Sequence, residues 1–152
     1  MSVTYTFNSP IGAVCLTEED GSITRIELID ATDETTAPTP LQREAARQIL
    51  AFLRGERQQL EFPIRMVGTS FQQRVWHALR RIPYGATRTY GEVAAAMGNP
   101  RACRAVGMAC NKNPLLLIVP CHRVIGAGGK LTGFAYGVDA KQRLLELEGS
   151  RR

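Results

Sequence analysis

The chain has 152 residues, 44% hydrophobic and 22% charged, enough for one domain or two very small ones that bury roughly two-thirds of the unfolded surface. The net charge of +5 hides a split: residues 1–63 hold five arginines and ten acids, a net of −5, and residues 64–152 hold fourteen Lys and Arg against four acids, a net of +10. No apolar run nears the ~20 residues of a membrane helix, the start Met1-Ser-Val-Thr-Tyr-Thr-Phe7 lacks a secretory pattern, and Cys15, Cys103, Cys110 and Cys121 form no CxxC pair. The expectation is a cytoplasmic protein with reduced thiols and no membrane association.

Between Ile64 and Val138 the only acid is Glu92. A segment this basic attracts polyanions, nucleic acid first among them, although a plain solubilising excess is the simpler alternative. In chain order, Val3, Tyr5 and Phe7 alternate along a first strand, Val14 and Leu16 along a second, and Ile23, Ile26 and Leu28 along a third. Turns fall at Asn8–Gly12 and Glu18–Gly21. Residues 30–38 are polar and Thr-rich, which predicts a mobile loop. Thr39 caps and Pro40 opens a helix with Leu41, Ala45, Ile49, Phe52 and Leu53 on one face, stopped at Gly55. Leu60–Met66 is expected to be a further strand. This half carries no chemical motif.

The second half reads as helical. Ser70 with Gln73 forms a capping box, followed by the stripe Phe71, Val75, Leu79 and Ile82 that ends before Pro83. Tyr84-Gly85 turns the chain. Thr89 with Glu92 opens a short helix from Tyr90 to Met97, closed by Gly98. Asn99 caps and Pro100 starts a further helix toward Lys112. Two short helices across a turn of about three residues fit a helix-turn-helix, a weak pattern by itself because many helical hairpins bind nothing. The second helix sets Arg101 and Arg104 among Ala102, Ala105, Gly107 and Ala109, small residues that let it lie close to another surface.

After Asn113-Pro114, the run Leu115–Val119 suits a buried strand that delivers Cys121 to its end, beside His122 and Arg123. Nearby positive charge favours the thiolate, and a thiol beside a base is the requirement for a cysteine nucleophile. Neighbours on a strand point to opposite faces, so contact between Cys121 and His122 needs a bridging water or a bend after Pro120. A lone Cys is also commonly a small buried hydrophobe, and this segment alone leaves both readings open. Zinc is disfavoured, since the other cysteines are scattered and His77 lies on a separate helix.

Pro120-Cys121-His122-Arg123-Val124 resembles the active-site motif of the 6-O-alkylguanine–DNA alkyltransferases, the methylated-DNA–protein-cysteine methyltransferases. Phe71–Trp76, Ile82–Gly85, Thr89–Glu92, Arg104–Gly107, Asn113-Pro114 and Leu144–Gly149 match in the same order. The resemblance covers about residues 70–149 closely and the rest loosely. It implies an α/β (α+β) protein with a ribonuclease-H-like domain over 1–66 and a helical DNA-binding and alkyl-transfer domain over 67–152. It implies minor-groove binding of duplex DNA, as a monomer with clustering along DNA left open, and rotation of the alkylated guanine into a pocket. Cys121 then resembles the nucleophile, His122 its base through a water, and Glu148 the group that orients His122. Tyr90 would aid rotation and protonate the leaving guanine, Arg104 would fill the vacated stack, and Asn113 would brace the helices against the cysteine. Arg101 and Arg123 would contact DNA. The carbonyls of Cys121 and Val124, with Phe134, Ala135, Tyr136 and Cys110, would line the pocket. No cofactor and no metal are implied: the zinc site of mammalian members has no counterpart, since Cys15 is the only N-terminal Cys.

Positions 134–136 depart from the family pattern, in which Tyr, then Ser or Ala, then Gly is frequent. Phe134 lacks a phenol, Ala135 lacks a hydroxyl, and Tyr136 is bulky, which predicts acceptance of methyl over benzyl groups. Two other function classes compete. A lesion-flagging relative would lack the cysteine, and a helix-turn-helix transcription regulator would need a dimer interface and an operator.

Overall fold

A computed structural model describes residues 1–30, 36–131 and 133–149. The expected loop over 30–38 falls largely outside the described residues. The protein is mixed α/β and divides into two compact units, Met1–Val67 and Gly68–Arg152.

The first unit is an antiparallel meander of β1 (Ser2–Ser9), β2 (Gly12–Glu19) and β3 (Ser22–Ile29). Helix α1 (Pro40–Leu53) packs on β1 and β3. Ile23 and Ile26 lie three apart, yet both are buried. A register shift opposite Thr17 and Glu18 inserts one residue and restores the inward face. Thr39 caps α1 with the expected proline at its start, and the reciprocal partner is the Gln42 side chain. Leu60–Met66 does not form the expected strand; only Ile23 and Ile64 make a bridge. Pro63 has no N–H to donate, and the Glu61 backbone is bonded instead by the buried Gln48 amide, at 2.7 and 3.0 Å.

The second unit holds α2 (Ser70–Leu79), β4 (Arg88–Thr89), α3 (Tyr90–Ala96), α4 (Cys103–Asn111), β5 (Val124–Ile125) and α5 (Val138–Leu147). Helices α2, α3 and α4 pack on one another. Buried Trp76 of α2 donates its Nε1–H to the Ala109 carbonyl of α4 at 2.9 Å. The α2 cap is Thr69 with Gln72, one residue before the expected Ser70 and Gln73. Thr89 and Glu92 cap α3 as expected. Helix α4 begins at Cys103 with no side-chain cap, so Asn99 and Pro100 lie in the connecting turn, which is longer than expected. Here the Asn99 carbonyl accepts from Ala102 N–H instead.

Leu115–Val119 is buried but is not a strand. Leu117 takes φ 74°, and Val119 N–H returns to the Leu115 carbonyl at 3.0 Å. An apolar run reports burial, not extension. Left-handed backbone costs a residue with a Cβ roughly 1–2 kcal/mol, offset here by burial of the Leu117 side chain. Among the described residues no helix is long and apolar enough to cross a membrane.

Candidate active site

The tight loop sets Cys121 at the start of a 3₁₀ turn, Cys121–Arg123. That turn leads into β5, which pairs in parallel with β4, Arg88 opposite Val124 and Thr89 opposite Ile125. The pairing ties the start of α3, and so Tyr90, to the strand leaving the cysteine turn. Asn113 connects α4 to the same place. Its Nδ2 donates to the Val119 carbonyl at 2.8 Å and to Cys121 Sγ at 3.2 Å, and its Oδ1 accepts from Leu115 N–H at 2.9 Å.

Cys121 is buried, and burial pushes its thiol above the usual range. The Asn113 hydrogen bond and the Lys141 ammonium oppose that shift by favouring the thiolate. The positive charge expected from Arg123 is absent as a net effect. Arg123 is buried, and its Nε and Nη2 donate to the two oxygens of Glu148 at 2.8 and 2.9 Å, while Nη1 donates to the Ile82 carbonyl at 2.8 Å. Three of its five N–H donors are thus taken inside the unit.

His122 is fully buried, with Nε2 2.7 Å from Glu148 Oε2. Burial pulls its pKa down, against the pull of Glu148, so the ring is neutral near pH 7. Burial alone would raise Glu148, but the hydrogen bonds from His122 and Arg123 outweigh it and bring the carboxyl to about 2. An ionised carboxylate only accepts, so Nε2 carries the proton and Nδ1 is left as a lone pair. Nδ1 is buried with no hydrogen-bond partner among the described residues. The result is a neutral imidazole held by one nitrogen, with the other available as a base.

Tyr90 is raised to about 12, by burial first and then by the nearby Cys110, Cys121 and Cys103. It therefore stays a protonated donor at neutral pH. Gly133, at φ 73°, lies against it: a Cβ there would come within 2.7 Å of the Tyr90 hydroxyl. Phe134 is buried and meets Tyr136 edge-on at 5.8 Å, and Ala135 is exposed. Cys110 is buried on α4, and burial pushes its thiol to about 12, which fits packing and makes it a poor nucleophile. Val124 is buried on β5. The Cys121 carbonyl already accepts the Val124 N–H. Arg101 and Arg104 are exposed, in the turn before α4 and on α4 itself. Among the described residues no group of three His, Cys, Asp or Glu side chains is arranged to hold a metal.

Residues 70–150 match the family model of the 6-O-methylguanine DNA methyltransferase DNA-binding domain. A methylated-DNA–protein-cysteine methyltransferase of Methanosarcina acetivorans is 48% identical over 150 residues, covering 95% of this chain and 96% of the relative. This chain belongs to the methylated-DNA–protein-cysteine methyltransferase family. The Mycobacterium tuberculosis O6-methylguanine methyltransferase structure superposes with a TM-score of 0.89 at 44% identity, covering 100% of this chain and 95% of that one. A structure of the M. tuberculosis protein in complex with DNA gives 0.88 at 44% identity, covering 96% and 92%.

Set against this family motif, one residue escaped the sequence reading. Lys141 of α5 is fully buried, with Nζ 5.8 Å from the Tyr90 ring centroid and 6.0 Å from that of Phe134. Its charge is felt at both Cys121 and Cys110, and burial pulls its pKa down. The signal was present in α5: Lys141 lies three residues before Leu144 and four before Leu145, on the apolar face, where a lysine is out of pattern.

Proposed function

We propose that this protein reverses alkylation damage by moving the alkyl group of 6-O-alkylguanine in duplex DNA onto its own Cys121. The observation that carries the reading is the buried Cys121 bonded by Asn113, followed directly by a buried His122–Glu148 pair whose Nδ1 is a bare acceptor. In this reading the Cys121 proton passes to His122 Nδ1 through a water, and Glu148 holds the imidazolium that forms. Sγ attacks the alkyl carbon, the carbon–oxygen bond breaks, and the guanine ring takes a proton from the Tyr90 hydroxyl. A thioether has no route back, so each molecule acts once, without a cofactor.

Helix α3, its turn and α4 act as a helix-turn-helix in the minor groove, with Arg101 and Arg104 on the DNA side and Arg104 filling the stack of the flipped base. Residues 67–152 are the DNA-binding and alkyl-transfer domain and 1–66 the supporting domain. The protein works as a monomer in the cytoplasm. Phe134, Ala135, Tyr136, Cys110 and Val124 wall the base pocket. Arg101 and Arg104, exposed at α4, supply the salt-dependent share of binding. The test mixes protein with a duplex carrying one 6-O-methylguanine and takes intact-protein and peptide mass spectra. A single added methyl on the Cys121 peptide, saturating at one per chain, is expected. Tight lesion binding with no mass gain would refute transfer and favour a lesion-flagging role.

A further inference from the structure

The second unit has a concave surface that the alkyl-transfer reading does not use. A groove of about 660 Å³ lies between α2, β4 and α3. Its apolar lining is the accessible Ala78, Ala96 and Met97 together with the buried Ile82 and Val93, and Arg74, His77, Arg81 and Arg88 stand around it. The one carboxylate among the described residues lining it is Glu92, whose Oε1 already accepts the Thr89 N–H at the cap of α3. Two of the guanidiniums are steadied by backbone: Arg74 Nη2 on the Met97 carbonyl at 3.3 Å and Arg88 Nη1 on the Thr87 carbonyl at 2.8 Å.

The groove faces away from α4. Trp76 turns toward α4, where it bonds Ala109. Arg74 and Ala78 are each two residues from Trp76, about 200° around the helix. Tyr90 likewise faces α4, with its ring 3.9 Å from where a Gly107 Cβ would stand, and Glu92 is about 200° from Tyr90. A duplex lying on α4 therefore leaves this side open.

We propose that the groove is a docking site for an acidic polypeptide segment that carries apolar side chains. Cationic groups around an apolar lining complement both parts of such a segment: carboxylates pair with the guanidiniums, and an aromatic or aliphatic side chain packs on Ala78, Ala96 and Met97. A duplex backbone is convex and polar, and it would leave that lining uncovered. The site recruits or places the protein by contact with another protein while α4 remains on DNA.

The test uses the full chain and a fluorescein-labelled peptide of consecutive aspartates ending in two phenylalanines, read by anisotropy at low and at physiological salt. Two comparison peptides carry serines in place of the phenylalanines or lysines in place of the aspartates. Binding of the first peptide above both others is expected. Arg81→Glu and the Arg74→Glu/Arg81→Glu pair should weaken it at least about tenfold, with melting and methyl transfer to Cys121 unchanged. Both arginines are exposed, so the fold tolerates the change, and Ala78→Gln, which narrows the groove without altering charge, provides a second arm expected to weaken binding. Equal binding of the serine peptide would reduce the site to unspecific charge and overturn the proposal. So would no binding at all, or an equal loss of duplex affinity in the charge-reversed variants, which would assign the groove to nucleic acid.

Discussion

Replacing Glu148 by Gln tests the centre of the site. The Glu148 side chain is fully buried and takes three charged or ring donors: Arg123 Nε, Arg123 Nη2 and His122 Nε2, at 2.7 to 2.9 Å. Gln keeps the shape but removes the charge, and its amide sets donor against donor. Arg123 is then a buried cation without its counter-ion, a loss of about 3–5 kcal/mol. The carboxyl's descent from 4.5 to about 2 gives a second route, at about 1.4 kcal/mol per pKa unit, to about 3 kcal/mol. At ~2–4 °C per kcal/mol for a chain of this size, melting should fall by roughly 6–20 °C. The sign follows from the lowered folded-state pKa. The stabilisation is complete above the unfolded value of 4.5 and is lost as pH falls through about 2. The gap between wild type and Glu148→Gln should thus be constant from pH 8 to about 5 and narrow below it. Thermal melts by circular dichroism across that range measure it. A double variant, Glu148→Gln/Arg123→Met, should recover much of the loss, because it removes the orphaned charge. A single variant that melts within about 2 °C of wild type, or a double variant no better than the single, would refute the reasoning.

Lys141→Met removes the ammonium that favours the Cys121 thiolate, so methyl transfer should slow about tenfold and its pH–rate profile move to higher pH. Unchanged kinetics would exclude an electrostatic role. Arg104→Ala should cut repair of 6-O-methylguanine in duplex more than it cuts duplex affinity, measured by single-turnover transfer beside anisotropy. Tyr136→Gly should raise the rate on 6-O-benzylguanine relative to the methyl substrate, because it removes the ring set against Phe134. Equal rates for both substrates in the wild type would show that Tyr136 does not narrow the pocket.

Local rules carried the sequence reading wherever the decisive partners lie within a few residues. Alternation placed β1 to β3, and the Thr39 cap with Pro40 and the Thr89–Glu92 capping box fixed two helix starts. The α2 start slipped by one because Thr69–Gln72 and Ser70–Gln73 satisfy the same pattern. Leu115–Val119 was read correctly as buried, but its return turn depends on Asn113, which bonds both Leu115 and Val119. Arg123 shows the same limit across a longer span. Next to a reactive cysteine it reads as exposed or activating charge, yet its partners are Ile82 and Glu148, 41 and 25 residues away. No spacing rule reaches that far. The family motif brought Cys121, His122, Asn113 and Tyr90 to attention, and Lys141 lay outside that motif.

Methylation of Cys121 should act on the same loop. Asn113 Nδ2 is 3.2 Å from Sγ, so a methyl on the side of Sγ turned to the amide falls inside the ~3.5–4 Å contact it requires, and a thioether sulfur is only a weak acceptor. The Asn113 side chain is then expected to move. Because one amide makes all three bonds, to Sγ, Val119 and Leu115, they are lost or weakened together. At about 1 kcal/mol each this is about 2–3 kcal/mol, or a fall in melting of about 5–10 °C. Wild-type protein melted before and after full reaction, with the oligonucleotide removed, measures the change. Asn113→Ala provides the internal comparison: it should melt lower at the start and lose little more on methylation, because the shared hinge is already gone. A methylated wild type that melts within about 1 °C of the unreacted protein, or an Asn113→Ala variant that falls as far as the wild type, would show that the methyl fits without displacing the amide. Where the hinge does yield, the effect continues into α4, since Asn113 N–H bonds the Cys110 carbonyl at the end of that helix at 3.2 Å. Faster amide exchange over residues 109–119 in the methylated protein would trace that path from the thioether to the helix that carries Arg104.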